Sequence, residues 1–433
     1  MSSILIKKGR LVDPKNNVDA VKDILVADGR VAKIDDNIND SADKVINAEG
    51  LAVMPGLIDL HVHFREPGYE NKETIATGSR AAAMGGFTTV CTMPNTNPVT
   101  DNAIMIEYAL NPKRDAVINV LPIGAITKGQ KSEELADIGQ MAAAGACALS
   151  EDGKSVADPA LMKNAMRYSK MFNLPIFDHC EEIRLAKGSM NAGDRASILG
   201  LKGIGDDSEE IIVSRDIILA KATGAKLHIC HISTEGSVEQ VKNAKAMGLP
   251  VTAEAAPHHF TLCDEDITDY DSNFKMNPPL RSRKDMEIIR QALKDNIIEV
   301  IATDHAPHHI DDKNCEFEKA ANGIIGLETS FALSYTELVE SGLISFSDMV
   351  AKMTANPAAV LGCGKGQLSV GSVADIAIAD IDNKYTIDVN TMVSKAKNTP
   401  FGGREVKGKI LYTICGGEVV VDNGKLTKQE DGK

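Results

Sequence analysis

Tryptophan is absent from the 433 residues, and aromatic residues together make up only 4%. A stacking surface for single-stranded nucleic acid is therefore poorly supplied. Basic charge is also short. Lys and Arg number 47 against 61 Asp and Glu, a net charge of −14, which repels polyanions and excludes nucleic acid as a partner while leaving room for a local basic pocket that takes a small anion. There is no CxxC pair. The eight cysteines (91, 147, 180, 230, 263, 315, 363, 415) are scattered, as expected of reduced, mostly buried thiols rather than a disulfide framework or a zinc knuckle. A long apolar run is missing too: the opening Met1-Ser-Ser-Ile-Leu-Ile-Lys-Lys-Gly-Arg10 breaks its run after three residues. Neither a signal peptide nor a membrane span is expected there, and the expected location is the cytoplasm. No low-complexity segment or short repeat occurs. What remains, 43% hydrophobic and 25% charged with 35 Gly, is an ordinary globular composition that excludes collagen, disordered tails and coiled coil.

The patterning changes twice along the chain. Residues 1–55 alternate short β-type runs (Ile4 to Lys7, Asp23 to Ala27, Arg30 to Ile34) with Gly, Asn and Asp turns. Residues 365–433 do the same in Asp375 to Ala379, Lys409 to Ile414 and Glu418 to Val421, so the two ends are expected to pair into a small composite β-sandwich. Between them, over 56–364, eight strand candidates appear: Leu57 to Phe64, Thr88 to Met93, Ile118 to Ile126, Ala146 to Glu151, Pro175 to Cys180, Lys226 to Ser233, Val251 to Ala256 and Glu299 to Asp304. Helical spacing fills Thr74 to Met84, Glu133 to Ala144, Pro159 to Phe172, Glu209 to Thr223, Ser237 to Met247 and Lys284 to Asn296. Eight βα units predict an α/β fold of the (β/α)8 TIM-type barrel class, with a doubly wound sheet as the structural alternative.

All ten histidines fall between His61 and His309, inside the expected barrel. His61-Val62-His63 is the sharpest case, because residues two apart on a strand share a face and both imidazoles then enter the barrel. Alone, such a pair is a weak metal half-site. Four further strands end in ligand-type residues, Asp152, His179, His231 and Asp304, and catalytic residues of this architecture come from those ends. Four imidazoles and two carboxylates suit one or two divalent ions of the zinc type, with Mn²⁺ and Co²⁺ as alternatives. A carboxylate shared by two ions would let a hydroxide bridge them. His228, three before His231, is expected to face away and pack under a helix. Cys180 and Cys230 are expected to point outward, and His258-His259 are left without a role. Gly362 to Gly366 lacks the spacing and the preceding strand of a phosphate loop.

Seven ordered motifs carry a resemblance over nearly the whole chain: Met54-Pro-Gly-Leu-Ile-Asp-Leu-His-Val-His-Phe-Arg-Glu-Pro-Gly68, Met93-Pro-Asn-Thr-Asn-Pro98, Leu149-Ser-Glu-Asp-Gly153, Asp178-His-Cys180, His231-Ile-Ser-Thr234, Met276-Asn-Pro-Pro-Leu-Arg281 and Ala302-Thr-Asp-His-Ala-Pro-His308. The sequence resembles the amidohydrolase superfamily and, within it, the long class I bacterial dihydroorotases. The resemblance implies His61, His63 and Asp304 on one metal, His179 and His231 on the other, and two zinc ions as cofactors. Many relatives bridge the ions with a carbamylated lysine. Leu149-Ser-Glu-Asp152 resembles the branch in which an aspartate bridges, so Asp152 takes that role and Lys154 is the weaker candidate. The implied reaction is the reversible closure of N-carbamoyl-L-aspartate to L-dihydroorotate and water in pyrimidine synthesis, by a metal-bridged hydroxide with Asp304 as general acid and base. Arg65, on the His63 face if the strand continues, supplies a planar fork for the substrate carboxylate. Resemblance adds Asn95 and His308 to that grip and Asn277 to the ring's amide edge. Asn322-Gly323 would present backbone groups to the ring, although relatives often have an aromatic residue where Asn322 stands. A homodimer is implied, with aspartate carbamoyltransferase as a candidate partner.

Two competitors remain at this level. A hydantoinase or allantoinase would open a neutral ring, which needs no carboxylate clamp of the Arg65 and Asn95 kind, and such enzymes usually carry the bridging lysine. A non-catalytic paralogue that only scaffolds aspartate carbamoyltransferase typically loses metal ligands, and this chain retains all of them.

Overall fold

A computed structural model describes residues 3–427. Its central feature is a ring of eight parallel strands, Leu57–Val62, Phe87–Thr92, Asn119–Pro122 resumed at Gly124–Ala125, Leu149–Ser150, Ile176–Asp178, Leu227–Ile229, Val251–Ala255 and Val300–Ile301. The third strand, expected to be continuous, is broken because Pro122 has no N–H to extend the ladder. Ile123 N then bonds back to Thr92 O at 3.0 Å while Gly124 N bonds forward to Ala148 O at 3.1 Å. Gly124 lets Met141 pack close, since a Cβ there would lie 2.7 Å from Met141 Sδ and the Met141 side chain would have to move. The ring closes between its first and last strands, where Val62 bridges His305 in parallel and His63 N donates to His305 O at 2.9 Å. The barrel alternative is thereby the one realised, as the structural likenesses below also show.

Alternate side chains on these strands divide into two layers. Ile58, Leu60, Cys91, Ile123, Ala148, Phe177, Cys230 and Val300 form one apolar cluster inside the ring. Ile176, Leu227, Ile229, Val251, Ala253 and Ile301 face out and join the larger core made with the helices. Local sequence starts and stops those helices. Thr74 and Thr77 form a capping box at the head of Ile75–Met84, and Asp158 with Pro159 opens Pro159–Met171. Helix Ile138–Ala144 begins later than its periodicity suggests, because Leu135 bridges Thr127 and Ala136 N donates to Ile126 O, holding that stretch against the third strand. Helices Ala103–Leu110, Phe346–Met353 and Ala355–Leu361 complete the outer shell.

The chain ends make one continuous nine-stranded sheet. Ala52–Pro55, which runs straight into the first barrel strand, pairs in parallel with Arg10 and Leu11 and antiparallel with Ile376 to Ala379. The sheet bends back on itself: Ala374 N donates to Gly29 O at 2.9 Å, and Gly417 N donates to Ala374 O at 3.0 Å. A Cβ on Gly417 would lie 2.5 Å from the Gly29 Cα, so these hairpin tips meet only as glycines. Between Thr386 and Glu405 the chain leaves the sheet, and Ile387 and Phe401 pack with Met276, Leu280 and Ile324 near the barrel mouth. The eight cysteines are free thiols. Among the described residues no helix is long and apolar enough to cross a membrane.

Candidate metal and substrate site

Strand ends place the ligand-type residues, and bent backbone aims them. Beneath them Asp59 Oδ1 accepts from His61 N and from Thr303 N, each at 3.1 Å, tying the first strand to the last. Burial raises the Asp59 carboxyl to about 7, against the hydrogen bonds from Thr303 and His61. Arg65 (φ 61), His231 (φ 32) and Asp304 (φ 47) all lie in the left-handed region. For non-glycine residues this costs about 1–3 kcal/mol each and collects at functional sites.

The six expected ligands converge on Asp152. Its Oδ1 lies 3.2 Å from His61 Nε2 and 3.8 Å from both His179 Nδ1 and His231 Nε2, and its Oδ2 lies 3.4 Å from His63 Nε2. Asp304 Oδ1 is 3.3 Å from His63 Nε2 and 3.5 Å from His61 Nε2. On the far side His179 Nδ1 meets His231 Nε2 at 2.9 Å. Asp152 thus stands between the His61, His63 and Asp304 group and the His179 and His231 pair. Lys154 does not enter the cluster, since its Nζ donates to Gln130 O at 3.2 Å. Burial would raise the carboxyl of Asp304, but His63, His61 and His231 hold it below the usual range.

The donor set fits divalent cations on its own evidence. His61 Nε2 and Asp152 Oδ1, 3.2 Å apart in the cluster, are buried without a hydrogen-bond partner, a costly state unless something else satisfies such atoms. The ligand atoms of His61, His63 and Asp304, and those of His61, Asp152 and His231, lie within 4.8 Å of one another. Tautomers are set to match. His61 Nδ1 donates to Glu254 Oε1 at 2.8 Å and His63 Nδ1 to Asn95 Oδ1 at 2.9 Å, which leaves both Nε2 lone pairs facing the cluster.

Glu254 escaped the sequence reading. The only signal was a carboxylate in an otherwise uncharged strand, Val251-Thr-Ala-Glu-Ala255. Its second oxygen accepts a hydrogen bond from His228 Nε2 at 3.0 Å, while His228 Nδ1 meets Thr252 Oγ1 at 2.8 Å. His228 therefore does not pack under a helix: it lies inside the barrel with its ring 4.8 Å from that of Phe177. Cys230 also points inward, in the interior cluster beside His61 and Glu254, and not outward. The expectation failed because alternation runs from His228 through Cys230 and breaks at His231, whose left-handed backbone turns its side chain back into the mouth. Cys180 does sit in the outer layer, its Sγ 3.1 Å from Asp178 Oδ2. His258 and His259 are buried, and His259 Nε2 donates to Pro278 O at 3.0 Å.

A cavity of about 180 Å³ opens over the cluster and is lined in part by Arg65, Asn95, Asn277, His308, Asn322 and Gly323. Arg65 Nε donates to Pro307 O at 3.2 Å. Burial lowers the guanidinium pKa to about 10, against the pull of Asp304 and Asp152, so it is cationic at neutral pH. Asn95 Nδ2 reaches Asp152 Oδ2 at 3.4 Å, so its amide is engaged with two of the ligand-type residues. Asn277 Nδ2 donates to Glu181 Oε1 at 2.9 Å, another carboxylate absent from the sequence reading. In the Asn322 loop the backbone is largely engaged within the protein: Asn322 O accepts from His308 Nε2 at 2.8 Å, and Gly323 N donates to Lys275 O at 3.0 Å.

Comparison with known proteins agrees with this geometry. Residues 50–237 match a family described as dihydro-orotase-like, and residues 284–421 match the amidohydrolase family. The dihydroorotase of Acetivibrio thermocellus is 50% identical over 420 residues, covering 96% of this chain and 99% of its own. That of Geobacter sp. strain M21 is 48% identical over 425 residues, 98% and 100% of the two chains. Among solved structures, the L-hydantoinase (dihydropyrimidinase) from Arthrobacter aurescens matches with a TM-score of 0.88 at 28% identity, covering 99% of this chain and 98% of that one. A D-hydantoinase at 24% identity, with a TM-score of 0.86 over 98% of this chain and 96% of that one, shares the fold. With half its residues identical to those of a dihydroorotase from end to end, the chain belongs to the dihydroorotase family of amidohydrolases.

Proposed function

We propose that the protein catalyses the reversible cyclisation of N-carbamoyl-L-aspartate to L-dihydroorotate and water. The observation that carries this reading is Arg65, a half-buried cation in the cavity lined by His63, Asp152, His179, His231 and Asp304, five of the six clustered ligand-type residues. A hydantoin ring carries no carboxylate for such a group to hold, so the hydantoinase likeness supports the barrel and not the substrate.

His61, His63 and Asp304 would hold one divalent ion and His179 and His231 a second, with Asp152 between them. The nitrogen-rich donor set suits zinc. Ions bound there supply Lewis acidity and bring the pKa of a bound water toward neutrality. The chain's own groups do the rest. Arg65 fixes the carboxylate, and with it the ring, against the cluster. Glu254 and Asn95 keep His61 and His63 in the tautomer that offers Nε2. In the hydrolytic direction Asp304 accepts the proton of the attacking water and returns it to the ring nitrogen as the carbon–nitrogen bond breaks. Reversal of the same proton path closes the ring.

Arg65→Met tests the substrate assignment. Losing a charge-assisted fork and leaving the substrate anion unpaired should lower kcat/KM for dihydroorotate by roughly 3–4 kcal/mol, on the order of 10² to 10³. Dihydrouracil lacks the carboxylate, so its feeble turnover should change little. Equal losses on both substrates would mean that Arg65 only supports the Glu66 to Gly68 loop, and the clamp would be wrong.

A further inference from the structure

A second cavity, of about 380 Å³, lies on the other side of His308 from the catalytic cavity. Lys72, Lys313, Lys395 and Lys397 line it together with His308 and His309. In a chain of net charge −14 this is an unusual concentration of basic groups, three of them ammonium ions outright, while burial, with Lys275 nearby, brings Lys313 down to about 7. Among the described residues only Lys72 of the four makes an ion-pair contact, its Nζ 3.0 Å from Asp312 Oδ2, while Lys397 and Lys313 feel Glu328 and Asp271 at longer range. Lys313 donates to three carbonyls, those of Lys275, Ala321 and Gly323. Lys395 donates to Glu70 O, and Lys397 to Met392 O and Ser394 O. A carbonyl orients an ammonium group without cancelling its charge, and an ammonium has three protons, so Lys395 and Lys397 keep donors for a ligand. His309 is paired with Asp311 at 3.2 Å.

The field of these cations is felt at the shared wall. Burial drives the His308 imidazole down to about 2, with Arg65, Lys72 and Lys313 adding to the fall. Lys72 Nζ lies 3.4 Å from His308 Nδ1, while Arg65 Nη2 lies 3.3 Å from its Nε2. The vestibule cation and the clamp cation are thus separated by little more than one imidazole ring, about one Debye length in physiological salt.

We propose that this cavity is an anion-binding site, separate from the catalytic one, which takes a small divalent oxyanion, either a free inorganic ion or a phosphate monoester. An anion held by Lys72, Lys395 and Lys397 partly cancels the positive potential that Arg65 offers to the substrate carboxylate. Its occupancy raises KM and leaves kcat unchanged, an effect that rests on the proposed ring-closure reaction. Binding itself does not rest on it.

The test is calorimetric titration of the full chain, metal-free and zinc-loaded, with inorganic phosphate and separately with glycerol 3-phosphate. The comparison proteins are Lys395→Met and the double variant Lys395→Met/Lys397→Met, exposed positions outside the catalytic cavity. One saturable site is expected in the parent, with affinity independent of zinc and weakened about tenfold in the double variant. Tighter binding of glycerol 3-phosphate identifies a monoester as the ligand, and tighter binding of phosphate identifies the free ion. In steady-state assays saturating anion should raise KM for dihydroorotate severalfold in the parent. The double variant, which has lost two of the cations that make the positive potential, should have a KM no lower than the parent's without anion and should not respond to anion. No saturable binding, equal binding in parent and double variant, or binding only after zinc loading would each overturn the site. Binding without any change in KM would overturn its coupling to Arg65. Because the titration contains no substrate, failure of the site is distinguishable from failure of the proposed reaction.

Discussion

Substituting Glu254 by Gln and by Ala separates charge from hydrogen bonding beneath the ligand cluster. The carboxylate is buried, and it accepts from His61 Nδ1 at 2.8 Å and from His228 Nε2 at 3.0 Å. Burial opposes its charge, but His228 and His61 outweigh that and bring its pKa down to about 2. Its contribution to stability is therefore complete above the ordinary carboxylate range and is lost only as pH falls toward 2. Gln keeps one acceptor and brings one donor. His228 can answer by moving its proton to Nδ1, where Thr252 Oγ1 waits at 2.8 Å. Every polar atom then keeps a partner and only the charge assistance is gone, about 1–2 kcal/mol, on the order of tenfold in metal affinity. Ala instead strands two buried N–H donors at about 1–3 kcal/mol each and frees the His61 ring to turn. Metal affinity should fall by more than about a hundredfold and the melting temperature should drop. Competition with a calibrated chelator, alongside thermal melts of metal-free and loaded protein, reads both effects. Equal affinities for the two variants, or a Gln variant as tight as the parent, would refute the idea that Glu254 positions His61.

Asp304→Asn should leave the melting curve of the metal-free protein near the parent's while turnover falls by several orders of magnitude, because it would remove both the proposed metal ligand and the proposed proton carrier; turnover within tenfold of the parent would refute that role. Asp152→Ala should lower the bound metal measured by elemental analysis, whereas Lys154→Ala, whose ammonium points at Gln130 O, should not; the opposite result would favour a carbamylated lysine. Glu328 accepts from Val393 N and Ser394 N, and burial, with Glu73 nearby, raises its carboxyl to about 7. The stability this group contributes is present below its unfolded pKa and lost as pH rises through 7, so Glu328→Gln should gain on the parent by up to about 3 kcal/mol between pH 5 and 8 in urea unfolding. Parallel pH profiles for the two proteins would show that the group does not titrate there.

How far the fold could be read from the chain depended on whether its signals were local. The eight strands and most helices carry their own periodicity, caps and punctuating glycines, so they stand close to where the pattern put them. His61-Val62-His63 was legible because both residues lie at the end of one strand, where alternation still holds. His231 was legible as a ligand type, yet its neighbours were placed on the wrong faces, since a left-handed residue leaves no mark in the composition. Glu254 and Glu181 escaped because their partners, His61 and Asn277, are distant in sequence, and only the closed barrel brings them together. The lysine vestibule was likewise invisible: Lys72, Lys313 and Lys395 come from three segments far apart in sequence, and a net charge of −14 gave no hint of them.

The seam that closes the barrel also sets when the site can exist. Asp59 bonds Thr303 across 244 positions, and His63 bonds the carbonyl of His305. At about 5–20 residues per second, roughly 12–50 s of synthesis separates the emergence of the first strand from that of its partner. Throughout that interval His61 and His63 lack Asp304, and their strand has a bare edge. Contacts of such long range also form slowly once the chain is free. Metal acquisition is therefore a late event in the life of each molecule. A nascent chain arrested before the eighth strand should carry the two histidines and fail to retain a divalent ion.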